Sequence, residues 1–86
     1  MHELGVATAL LDTVIGSVDK TSCICVEKID VVVGKKAAII DEMFTEAFNA
    51  LKELDEYSLC KNAIITTTDT EGKDVYIDKI QIKEKD

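Results

Sequence analysis

The chain has 86 residues, 47% of them hydrophobic, with 17 acidic against 10 basic residues and a formal net charge of −7. That length suits one domain with a modest core, burying roughly 60–65% of the surface its unfolded form exposes, and the apolar content excludes wholesale disorder. The acidic balance excludes nucleic acid and anionic membrane surfaces as partners, since both need clustered Lys and Arg, and no apolar run reaches the roughly 18–20 residues that cross a bilayer.

The opening residues, Met1-His2-Glu3-Leu4, place no basic stretch ahead of an apolar one, so no signal peptide is predicted. Cys23, Cys25 and Cys60 read as reduced thiols, and a cytoplasmic location is expected. From residue 3 to residue 20, apolar side chains recur at Leu4, Ala7, Leu11, Val14 and Val18, flanked by Leu10 and Ile15, which is one face of a helix. Thr21 and Ser22 break the period. Cys23 to Val33 is rich in β-branched residues and reads as a strand, with Cys25, Ile29, Val31 and Val33 toward the core and Lys28 and Asp30 opposite. Glu27 falls out of pattern. Gly34 and the Lys35-Lys36 pair close the strand, without the further glycines of a phosphate loop.

Residues 39–54 return to helical spacing, with Ile40, Met43, Phe44, Ala47, Phe48, Leu51 and Leu54 on the core face and Asp41 and Glu42 near the start, where negative charge suits the helix dipole. Ala63 to Asp69 reads as a strand by propensity, Asp69 to Lys73 as a turn, and residues 74–82 as a last strand. In that strand the apolar set changes parity between Ile77 and Ile80, which predicts a bulge near Asp78-Lys79. The order helix-strand-helix-strand-strand predicts an α/β two-layer sandwich in a single domain over residues 1–86: a three-stranded mixed sheet with two helices on one face. The first two strands should be parallel, being joined through a helix, and the last two an antiparallel hairpin.

The only histidine is His2. A chain beginning Met-His offers the Met1 amine, the His2 amide nitrogen and the His2 imidazole Nδ1 in one fused chelate. Once the amide is deprotonated, these strong-field nitrogens lie in a plane that suits square-planar Ni(II) or Cu(II) rather than tetrahedral zinc. Glu3 or its amide is the nearest fourth donor. Taken alone, His2 reads first as an exposed terminal side chain without a role. Cys23, Cys25 and Cys60 read as small packing residues, and no nucleophile has a second histidine to activate it, so an enzyme is not expected.

Five segments shift that reading. Met1-His2-Glu3, Ile29 to Gly34, Phe44-Thr45-Glu46-Ala47-Phe48, Leu59 to Ile64 and Gly72 to Ile82 stand in the order in which similar segments occur in the HypA-type hydrogenase and urease nickel-insertion metallochaperones. The chain resembles that family along essentially its whole length. The resemblance implies a nickel-binding accessory protein for maturation of a nickel enzyme such as a nickel–iron hydrogenase. The metal would sit on Met1, His2 and Glu3, and the partners would be a maturation GTPase and the immature enzyme. A homo-oligomer is among the assemblies it allows. The alternative is a metal-independent interaction module of the same family.

One departure is large. Family members carry a zinc-binding domain with two Cys-x-x-Cys pairs between the second and third strands, where residues 69–74 leave only a turn. Three cysteines without that spacing cannot supply four thiolates, so no zinc is expected. Elemental analysis of purified protein should find less than stoichiometric tightly held zinc; one tightly held zinc per chain would overturn the expectation.

Overall fold

The computed structural model describes residues 3–86, in the order α1 (Glu3–Ser17), β1 (Cys23–Gly34), α2 (Asp41–Leu51), β2 (Ile64–Thr70) and β3 (Val75–Glu84). Short 3-10 turns at Lys35–Ala37 and Asp55–Cys60 precede α2 and β2. The strands form one mixed sheet in the order β2-β1-β3, with β1 parallel to β2 and antiparallel to β3.

That order corrects the expected hairpin. β2 and β3 are not neighbours; β1 lies between them. The physical reason is the composition of β1. Ile29, Val31, Val32 and Val33 are all at most 8% exposed, and a strand this apolar is stable only with both edges paired and its side chains covered. Leaving β2, the chain therefore crosses the end of β1 before returning along its other edge. The crossing is tight. The Gly34 amide donates to the Asp74 carbonyl at 2.8 Å, and the Lys36 amide donates to the Gly72 carbonyl at 3.0 Å. A Cβ on Gly34 would stand 2.3 Å from the Gly72 carbonyl oxygen. Lys35 Nζ adds an exposed ion pair to Glu71 at 3.0 Å.

Bulges set which side chains reach the core. Asp30 pairs with Lys79 and Val31 with Ile77, so Asp78 is the extra residue on β3, where the parity change placed it. On β1 the extra residues are Ile24 and Glu27. They explain why Glu27 is out of pattern, and they correct the inward set: Cys23 and Val26 are buried, whereas Cys25 is only half-buried.

α1 buries Ala7, Leu10, Leu11 and Val14, and α2 buries Phe44 and Phe48, whose rings meet edge to face at 5.9 Å. Both helices are shorter than their periodic patterns. α1 stops at Ser17, ahead of a turn in which the Asp19 carboxylate accepts the Thr21 amide at 2.9 Å. Four expected core residues lie outside it: Leu4 and Ile40 are 57% exposed, Met43 50% and Leu54 46%. Periodicity identifies a face, but only the length of the opposing sheet decides how much of that face is covered. Tyr57, in the 3-10 turn, closes the core from the side. Its part-buried hydroxyl donates to Asp12 Oδ1 at 2.6 Å, and that bond to a carboxylate, with partial desolvation, pushes its pKa up to about 12.

Gly34→Ala should lower stability by about 1–3 kcal/mol, because backbone atoms rather than a flexible side-chain end must move. Gly16→Ala, whose Cβ meets nothing within 4 Å, should instead stabilise α1 by up to about 1 kcal/mol. Paired urea denaturation curves check both; equal effects would refute the close-approach account of Gly34.

Candidate metal-binding site

Of the three residues expected to hold a metal, Met1 and His2 lie outside the described residues. Glu3 is the first residue of α1, and the structure gives it a partner far along the chain. Its Oε2 accepts the backbone N–H of Ile40 at 3.1 Å. Ile40 is the N-cap of α2, with extended backbone angles (φ −90°, ψ 114°), and its own carbonyl accepts the Phe44 amide at 2.9 Å. An isoleucine side chain cannot cap the orphan amides of a helix start. The Glu3 carboxylate supplies negative charge there, beside Asp41 and Glu42 in the first turn of α2.

The amino-terminal ends of the two helices are thereby tied together. The same ends carry Leu4, Ile40 and Met43, all at least half exposed. Sequence spacing could not have found the Glu3–Ile40 bond, since the two residues are 37 apart and only tertiary packing brings them together. For the site this means that Glu3 Oε2 holds the scaffold.

The rest of the described chain offers little competing metal chemistry. Among the described residues, no group of three or more His, Cys, Asp or Glu side chains is placed to hold an ion. Cys23 and Cys60 are buried, at 3% and 0% exposed. Burial raises the pKa of both thiols, that of Cys60 to about 11, so neither readily gives the thiolate a metal needs. Cys25 is separated from Cys23 by the bulged Ile24, so the two do not form an exposed thiol pair. Asp30 is held below the usual carboxylate range by the Thr66 hydroxyl that donates to it, and Lys28 lies 3.6 Å away. It is a sheet-face ion pair rather than a metal ligand. No helix among the described residues is long and apolar enough to cross a membrane.

Residues 1–74 match the family model described as hydrogenase/urease nickel incorporation, metallochaperone, HypA. Among solved structures, the solution structure of the Ni metallochaperone HypA from Helicobacter pylori superposes with a TM-score of 0.69 at 20% identity, covering 96% of this chain and 94% of that one. A further solution structure of a HypA protein gives a TM-score of 0.64 at 22% identity, covering 98% of this chain and 87% of that one. At these identities the structural likeness is one of fold. No curated protein matches the sequence.

Glu3→Ala should cost about 1–2 kcal/mol, the usual price of removing the acceptor from a helix-start amide, and should speed hydrogen exchange at the Ile40 amide. Glu3→Gln, which keeps an acceptor oxygen, should recover part of both. Unchanged exchange at Ile40 in Glu3→Ala would show that the carboxylate does not anchor α2.

Proposed function

Because the chain belongs to the HypA family of hydrogenase/urease nickel-incorporation metallochaperones, we propose that it carries nickel on its own amino terminus, in a chain that begins at Met1. The protein is an accessory factor of nickel-enzyme maturation and not an enzyme. The observation that carries the proposal is the placement of Glu3. Its carboxylate fixes the start of α1 on α2.

The donors are the Met1 amine, the His2 amide nitrogen and the His2 imidazole Nδ1. Glu3 or its amide is the nearest fourth donor. Strong-field nitrogens in a plane suit low-spin Ni(II). The cargo is released by protonation or by a stronger ligand set on the acceptor, since each donor binds metal only in its deprotonated form. The acceptors, by resemblance, are a maturation GTPase and an immature nickel enzyme such as a nickel–iron hydrogenase, and the place of work is the cytoplasm. The turn from Glu71 to Asp74 stands where the family carries its zinc domain, so we assign this chain no zinc.

A second reading rests on the exposed side chains of Leu4, Ile40 and Met43. These apolar side chains at the amino-terminal ends of α1 and α2 offer a maturation partner a place to dock with no metal involved. Nickel binding separates the two readings.

Protein with an authentic, untagged start should bind Ni(II) as a yellow, diamagnetic complex. Affinity should weaken below about pH 6.5, where the imidazole protonates. His2→Ala should weaken binding by more than the roughly 10–100-fold typical of losing an outer-shell partner, and added residues ahead of Met1 should do the same. Calorimetric titration of the three proteins decides the matter: equal affinity in native and extended chains would exclude the amine chelate and leave the docking reading.

A further inference from the structure

The sheet order leaves β3 with one edge on β1 and the other unpaired among the described residues. A free strand of 10 residues is long for an edge, and such edges invite pairing unless something blocks it. The charges along it and in the two residues ahead of it are balanced, although the chain as a whole carries −7: Lys73, Lys79 and Lys83 stand against Asp74, Asp78 and Glu84. None of these six belongs to an ion pair within the described chain. On the helix-covered side, Val75, Ile77, Ile80 and Ile82 pack against the core yet stay only partly buried. Beside the start of β3 an apolar groove opens between the strand and α1, floored by Gly5, Val6, Ala9 and Leu10. A Cβ on Gly5 would meet nothing within 4 Å.

We propose that this edge pairs with the same edge of a second copy, antiparallel about a two-fold axis between Asp78 and Lys79. The sequence from residue 73 to residue 84 is its own complement in that arrangement. Lys73 falls opposite Glu84, Asp74 opposite Lys83, Val75 opposite Ile82, Tyr76 opposite Gln81, Ile77 opposite Ile80, and Asp78 opposite Lys79. Every charge meets its opposite and every core-facing apolar residue meets another, each pair occurring twice.

The bulge at Asp78 makes this register possible. Residues opposite each other in a ladder point to the same face. In an unbulged strand, Ile77 and Ile80 would point to opposite faces and could not be partners. With Asp78 inserted, Val75, Ile77, Ile80 and Ile82 all share the helix side, and Asp78 and Lys79 fall together on the other. Sliding the pairing by two residues would put Val75 against Glu84 and Tyr76 against Lys83, and would set residues of opposite faces against each other at the axis. In the favoured register, Ile82 of the second copy lies against Val75 and fills the groove beside Gly5 and Ala9. The product is a continuous six-stranded sheet with all four helices on one face, because a two-fold axis perpendicular to a sheet preserves its faces.

Sedimentation equilibrium of metal-free protein tests this independently of nickel. The native chain at submillimolar concentration should reach twice its 9.5-kDa mass. Asp78→Lys alone and Lys79→Asp alone each set like charges across the axis and should weaken association at least about tenfold. Mixed in equal amounts, the two variants restore complementary pairs and should form a heterodimer, a rescue that misfolding would not allow. The double variant Asp78→Lys with Lys79→Asp should dimerise by itself. A native chain that stays monomeric, single variants that still dimerise, or a mixture that fails to associate would each overturn the proposal.

Discussion

A valine-rich strand with both edges paired is the constraint on which the other elements depend. Once β1 occupies the centre of the sheet, β2 and β3 must flank it, and the chain joining them must pass over its end. That passage is possible because Gly34 has no side chain where the Gly72 and Asp74 carbonyls come close. The same centrality fixes the layer above. Ile29, Val31 and Val33 form the floor on which Leu11, Val14, Phe44 and Phe48 rest, and the helices extend only as far as that floor covers them. Leu4 and Met43, in step with the helical period, hang over its end.

That overhang shapes the functional corner. Both helices begin near each other, past the edge of the covered core, and Glu3 bridges them through the Ile40 amide. A carboxylate at a helix start is favourable in its own right. Here it also restrains the start of α1 against the start of α2, so that the Glu3 carboxylate ties the two elements together.

The sheet also leaves a consequence at its far side. Placing β1 in the middle makes β3 an edge, and the bulges that let β3 follow β1 bring its apolar residues onto one face from both sides of Asp78. A local irregularity in one pairing therefore sets the register available to the next. Charges that form no ion pair among the described residues lie in an order that a second copy would complement.

The sequence by itself determined the order and type of the elements, the bulge at Asp78 and the family, because each is written in local signals: helical and strand periods, a parity change between Ile77 and Ile80, and short segments in fixed succession. Met1, His2 and Glu3 as metal donors remain our proposal, drawn from the chemistry of adjacent nitrogens together with the family resemblance. The sequence failed where distant residues compete. The hairpin expected of β2 and β3 was the nearest pairing along the chain, but β1 offered each strand a more apolar neighbour than they offered each other. Cys25 was expected inward, yet bulges at Ile24 and Glu27, visible only against the paired strand, gave that side to Cys23 and Val26. The Glu3–Ile40 bond joins residues 37 apart. Such contacts depend on how the helices settle on the sheet, and that is decided by packing across the whole core rather than by any stretch of residues within it.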